Sequence, residues 1–307
     1  MKNKKNIYTT QGWGVWLIAG VVFLSLLGSG RGYAAEGGAR PISLGGAYIA
    51  LADDVHVASW NPAGLAWQKE QEVTLSSVIN NRGDYVSGDF ISDDYFAYAR
   101  PLKTGYQSDV ESRGGFGVYF HNSGYENDDT RAKTSLMQPG ISYGRRFSAC
   151  DTMAWGVALN YYLFDSEIPG AVSSDAAFSA NLGFLWYLTN KITTGFLWEN
   201  INEPSFTVHG VNSRLVRVLR PGIAYYFTET SVLSCDIYDL TGNTKDRGAD
   251  FSRNIRIGLE HYLTDSLSLR LGAHHPNSKV DSSKYYSVGF GLQRSDFVGV
   301  YPLTYFL

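Results

Sequence analysis

The chain has 307 residues, 26 basic and 29 acidic, with 21 Tyr, 16 Phe and 33 Gly but three Met and two Cys. Two cysteines exclude a disulfide framework as the source of stability, leaving one Cys150–Cys235 bridge open, and the absence of any Lys/Arg-dense run excludes a nucleic-acid partner. Aromatic and glycine enrichment suits strands that show apolar atoms to one side.

Residues 1–34 read as a secretory signal peptide. Lys2, Lys4, Lys5 and Arg31 flank an uncharged apolar run from Trp13 to Leu27, and Gly32-Tyr33-Ala34 supplies small residues near a cleavage point at Ala34 or Ala35. The run is short for a membrane span of about 20 residues, although Gly28 to Gly30 could lengthen it into an uncleaved anchor. Removing the leader takes four of the 26 basic residues and none of the 29 acidic ones, so 22 face 29 and the mature charge is −7.

Residues 35–69 differ from everything after them. Gly45-Gly46 permits close backbone approach, Ala47 to Ala52 is a short apolar piece, and Asp53-Asp54 can cap the following turn. Asn61-Pro62 imposes an extended or turn conformation on Asn61, whose side chain can bond locally. Such a segment packs as an irregular plug. Its Gly45-Gly46-Ala47, Ala52-Asp53-Asp54 and Asn61-Pro62-Ala63 resemble the amino-terminal hatch of the FadL family of hydrophobic-compound channels. The resemblance implies a fourteen-stranded outer-membrane barrel, a lumen gated by Gly45, Gly46, Asp53, Asp54, Asn61, Pro62 and Ala63, and a fatty-acid-like cargo. The string resembles equally the PorV-like proteins of type IX secretion, which share the fold yet bind exported proteins.

From residue 70 to 307 the pattern alternates with period two, which means strand. One face of Trp155 to Leu163 reads Trp155, Val157, Leu159, Tyr161, Leu163 and the other Gly156, Ala158, Asn160, Tyr162; Phe178 to Leu188, Ile255 to Glu260, Leu267 to His274 and Ser287 to Gln293 divide likewise. Further runs at Val73 to Ile79, Tyr95 to Arg100, Phe116 to His121, Gln138 to Phe147, Ile192 to Glu199, Arg217 to Phe227, Val232 to Leu240 and Val298 to Leu307 give about thirteen strands. Closed barrels have even numbers, so fourteen or twelve is expected, with one strand miscounted before Gly115. Asn122-Ser123-Gly124, Thr241-Gly242-Asn243 and Pro276-Asn277-Ser278 read as loops, and Thr264-Asp265-Ser266 as a tight turn.

A soluble sandwich would also alternate. Strand lengths near the 9–11 residues of a membrane crossing, and aromatics at Tyr161, Phe164, Trp186-Tyr187, Tyr225-Tyr226-Phe227 and Tyr262 read as interfacial girdles, favour an all-β transmembrane antiparallel barrel. The terminal Tyr301, Leu303, Tyr305, Leu307 alternation resembles the strand offered to barrel-assembly machinery, with Pro302 at a bulge or edge.

Five charges fall on polar strand faces: Glu199, Asp236, Arg256, Glu260 and Arg270. Facing lipid, an Arg costs about 2–4 kcal/mol, so they point to the lumen, either pairing with one another and the hatch or, at Arg256 or Arg270, holding the carboxylate of an amphipathic ligand. No Gly-x-Ser-x-Gly or His-Glu-x-x-His is present, so no catalytic residue, cofactor or metal site is assigned. A lipid-modifying enzyme would need an outward Ser/His pair, for which His121 with Ser123, or His261, are candidates against an interfacial reading. His274-His275 on one strand should face opposite ways, and Asp246 and Asp250 lack calcium-loop spacing. The expected partners are outer-membrane lipid, a hydrophobic small molecule, assembly machinery and, on the PorV-like reading, secreted or envelope proteins.

Overall fold

The structure, a computed structural model, describes residues 37–51, 53–81, 90–102, 114–127, 131–243, 255–276, 285–292 and 305–306. The leader, residues 103–113 ahead of Gly114, Asp246 and Asp250, and most of the last run lie outside them. A helix of five residues, α1 (Ala39–Ser43), a single turn, α2 (Val57–Trp60), and a 3-10 turn (Pro62–Trp67) precede the strands.

The strands are β1 (Glu72–Asn81), β2 (Phe90–Pro101), β3 (Gly114–Asn127), β4 (Ala132–Phe147), β5 (Cys150–Ile168), β6 (Ala171–Thr189), β7 (Ile192–Glu199), β8 (Ser205–Val208), β9 (Val211–Arg214), β10 (Val218–Thr228), β11 (Ser231–Ile237), β12 (Ile255–Thr264), β13 (Leu267–His274), β14 (Tyr285–Leu292) and β15 (Tyr305–Phe306). All but β8 and β9 form one antiparallel meander in sequence order, thirteen strands with the last only two residues long. The described pairings hold no ladder joining β1 to the C-terminal strands. The pair β8–β9 stands apart as a hairpin that the sequence analysis did not identify.

Local chemistry explains the turns. Before three of the tight connections a threonine closes its strand, and the Oγ1 atoms of Thr189, Thr228 and Thr264 accept from backbone N–H groups two or three residues on. Register shifts fall at these same ends, after Tyr187, Tyr226 and Tyr262, as bulges do at barrel rims. The Asn122-Ser123-Gly124 cluster is not a loop: it lies within β3, paired to β4 through Met137, Leu136 and Ser135, because its turn residues sit inside a ladder whose partner continues past them.

The two faces of the sheet are inverted relative to a soluble sandwich. Leu75 is 76 % exposed, Phe178 69 % and Leu159 53 %, with Ile223, Tyr225, Leu233, Ile257 and Leu271 also exposed. The opposite faces bury Asn160, Asn181, Arg220, Asp236, Arg256, Glu260 and Arg270. On β5 the outward face is free of charge from Met153 to Leu163 and then turns to Asp165 and Glu167. Ten residues of strand rise span about 33 Å along the chain, close to a tilted crossing of an apolar band about 25 Å tall.

The buried core lies between this polar inner face and the N-terminal segment, in two clusters. One joins Val57, Ala63 and Leu65 to Tyr95, Tyr119 and Leu185, and the other joins Leu44, Tyr48, Ile49 and Trp60 to Leu197 and Ala224. Half of the expected aromatic girdle belongs to this interior. Tyr161, Trp186, Tyr225 and Phe227 point outward, whereas Tyr187 packs on Trp67 with centroids 4.7 Å apart, Tyr226 packs on the second cluster, and Phe164 meets Phe206. Tyr262 shares the inner face with Glu260. Adjacent residues of a strand point to opposite faces, so each aromatic doublet contributes one ring to each side. Cys150 and Cys235 are both free thiols.

Candidate functional site: the N-terminal segment on the inner wall

The segment is wedged against glycines. A Cβ on Gly144 or Gly156 would strike the backbone of Pro62, one on Gly195 that of Ile49, one on Gly272 that of Leu44 and Gly45, and one on Gly289 the side chain of Ser43. Gly37, at the other end, lies on the Tyr95 ring of β2. Residues 37–67 therefore touch strands from β2 to β14, and the sheet curls around them.

The motif residues sit where this contact is tightest. Gly45 (φ +64°) and Gly46 (φ +76°) hold left-handed backbone against β13 and Arg256. Asn61 is extended (φ −155°) ahead of Pro62. Its Oδ1 accepts from the Ala63 N–H, while Nδ2 donates to Ile49 O and Phe184 O, so one amide ties two parts of the segment to β6. The Asp54 carboxylate accepts from His56 N–H and Tyr48 O–H and pairs with His56 Nδ1 at 2.8 Å.

Arg40 is the hub that the sequence did not single out. Its guanidinium donates to Glu260 at 3.1 and 2.6 Å, to Asp53 at 2.6 Å and to Asp54 at 2.9 Å. Burial raises the Asp54 carboxyl, but His56 and Arg40 outweigh it and hold the group well below the usual carboxylate range. The signal available was a lone basic residue inside an apolar, glycine-rich stretch, in a chain with inward acids to meet it.

Four of the five inward charges form one patch. Register sets Asp236 opposite Arg256 and Glu260 opposite Arg270, and Arg270 Nε donates to Glu260 at 2.6 Å. Asp236 accepts the N–H groups of Tyr48 and Ile49 at 2.7 and 2.9 Å. Arg256 lies 4.3 Å over the Tyr238 ring and reaches Gly46 O at 3.4 Å. Both arginines named as ligand anchors are thus engaged with protein groups. Glu199 stands apart, 3.3 Å from Arg220, whose guanidinium lies 5.5 Å over Trp60 and 4.8 Å over Tyr238.

Beside this last pair is a cavity of about 30 Å³ lined by Ser59, Trp60, Tyr95, Tyr119, His121, Gln138, Asn181, Glu199 and Arg220 among others, room for about two waters. Its wall is polar.

The histidines depart from expectation. His121 is buried on the inner face and pairs with Asp93 at 2.9 Å, not at an outer interface. His274 and His275 are both buried inside with ring centroids 4.0 Å apart, because His275 leaves the strand at φ +45° and escapes the alternation. No cluster of three metal-ligating side chains is found among the described residues. Ser231 Oγ and His261 Nδ1 lie 2.7 Å apart on the outward face. Ser231 is buried, and no carboxylate bonds to His261 among the described residues, so this pair lacks an orienting acid and an open approach.

The sequence matches no family model and no curated protein. Solved structures share the fold. A FadL homologue of Pseudomonas aeruginosa aligns with TM-score 0.55 at 12 % identity, covering 85 % of each chain. The toluene transporter TodX of Pseudomonas putida aligns with TM-score 0.56 at 11 % identity over 87 % of this chain and 91 % of that one, and a mutant of the TodX monoaromatic hydrocarbon channel with TM-score 0.54 at 12 % identity over 85 % and 90 %. The FadL-like fold expected from residues 45–63 is the fold found.

Proposed function

We propose that this chain is an outer-membrane channel for hydrophobic small molecules, a closed barrel whose residues 35–69 are a hatch. The observation that carries the reading is the inverted sheet. Exposed Leu, Ile, Phe and Trp side chains outside a wall whose inner face is polar and glycine-lined need lipid around them, and the segment seated inside blocks the lumen. The fold shared with a toluene transporter supports the cargo class. Opening requires the segment to leave Glu260 and Asp236, so hatch and gate are one element.

Uptake by intact Gram-negative cells is the test. Cells expressing the chain should take up a monoaromatic or fatty-acid-like compound faster than cells without it; equal rates would remove the channel reading. A second reading, a PorV-like secretion accessory, is favoured by the small polar cavity and by β5 and β6, 19 residues each, which extend past the apolar band. Co-purification of exported proteins with the chain from a type IX-competent host, together with no uptake, would select it.

A further inference from the structure

The hairpin β8–β9 has one buried side chain. Phe206 is 5 % exposed, while Ser205, Thr207 and all four residues of β9 are exposed. Its ring stands edge-on to Tyr162, with centroids 6.2 Å apart and planes at 88°, and tilts over Phe164 at 6.3 Å. Both partners lie on the inner face of β5, at the upper end of its charge-free outer band. One inner-face step below Tyr162 is Asn160, whose Oδ1 accepts from Tyr119 and from Gln138 of the cavity wall. The aromatic site therefore sits directly over the cavity.

The hairpin's other polar attachments to β5 and β6 are few and solvent-exposed. Asp175 accepts the Thr207 N–H at 2.6 Å, Ser173 accepts the His209 N–H at 3.0 Å, and His209 Nε2 meets Ser166 Oγ at 3.2 Å. The approach to the hairpin passes through Asn200 (φ +53°) and Glu203 (φ +47°), two non-glycine residues in left-handed backbone. Both lie in the connection between elements, where a hinge takes up the dihedral change of a swinging segment.

We propose that β8–β9 is a lid whose Phe206 occupies the Tyr162–Phe164 site as a built-in ligand, and that a single-ring apolar molecule of the size of toluene takes this site when the lid opens. The ring now seated there is itself a benzyl group, and edge-on and tilted contacts are the geometries aromatic rings prefer. The proposal rests on the channel reading and adds to it an outer site with a stated occupant.

The test uses the full chain in lipid, a radiolabelled single-ring aryl diazirine as probe, and peptide mapping of the photoadducts. Phe206→Ala should raise labelling at Tyr162 and Phe164, read apart from the lipid-facing Leu163, by about tenfold or more, the weight of removing one ring-sized competitor. Phe206→Leu should fall between, and Phe206→Trp should not exceed the parent. Labelling at Tyr162 and Phe164 that is unchanged in Phe206→Ala overturns the lid, even if cells expressing the parent still take up monoaromatics, in which case the channel reading stands. If the parent passes nothing yet Phe206→Ala labels strongly, the site survives and the channel reading falls.

Discussion

Replacing Arg40 with alanine should release the N-terminal segment from the wall. Arg40 bridges Glu260, whose side chain is 1 % exposed, to Asp53, which is 40 % exposed. Breaking one partner out of a buried ion pair costs about 3–5 kcal/mol, and the lower end applies because Arg270 stays bound to Glu260 at 2.6 Å. The half-exposed Asp53 adds under about 1 kcal/mol, and Asp54 keeps its bonds to Tyr48 and His56 when Arg40 is gone. A total of about 3–4 kcal/mol raises the undocked population roughly a hundred- to a thousandfold, at 1.4 kcal/mol per factor of ten. Hydrogen exchange of the amides at Tyr48, Ile49 and Ala63, each bonded or buried in the docked segment, reads this population in intact proteoliposomes. A double-mutant cycle should give a larger coupling for Arg40 with Glu260 than with Asp53. Exchange in Arg40→Ala within threefold of the parent would refute the reasoning.

Gly156→Ala places a Cβ on the Pro62 and Ala63 backbone, which cannot move aside as a side chain can, and should destabilise docking by about 1–3 kcal/mol, read as faster protease cleavage within residues 37–67. Asp236→Ala leaves the buried N–H groups of Tyr48 and Ile49 without their acceptor, at about 1–3 kcal/mol each, while Asp236→Asn keeps an oxygen and should lose less; urea melts in detergent compare the two. Leu159→Arg puts a charge on the outward face and should lower folding stability in bilayers by about 2–4 kcal/mol, whereas in detergent-free buffer no folded form should appear for either chain. A fluorophosphonate probe should leave Ser231 unmodified, and labelling lost in His261→Ala would instead support the enzyme alternative.

Much of the fold was legible because period-two patterning is a local signal. Each of the twelve longer strands overlaps a run read from the sequence, the run Val232 to Leu240 overshooting β11 by three residues, and the outward assignment of Trp155, Val157, Leu159 and Tyr161 follows from alternation alone. The boundaries were short at β3 to β6, whose ladders continue through polar residues such as Asn122 and Ser166 that carry no strand signal. The β8–β9 hairpin was missed because His209-Gly210, both at positive φ, forms its two-residue turn in place of the usual Asn-Gly. In the segment, Asn61-Pro62 and Gly45-Gly46 announced their backbone geometry, which depends on their own side chains. Arg40 did not announce its role, because the acid that ties it to the wall, Glu260, lies 220 positions away on β12, and no spacing rule connects the two. Arg220 meets Glu199 and Tyr238 through the register of the neighbouring strands, but Trp60 reaches it only when the N-terminal segment docks, which no local pattern announces.

The central claim is the inversion, apolar wall outside and polar wall inside with the segment seated on it. Oxygen accessibility of nitroxide labels placed singly at every position from Ala154 to Leu163, in a bilayer-reconstituted chain with Cys150 and Cys235 replaced, measures it directly. The account expects alternation of period two, with high lipid-phase accessibility at 155, 157, 159, 161 and 163 and shielding at 154, 156, 158, 160 and 162. Uniform accessibility, or maxima at the even positions, would contradict it.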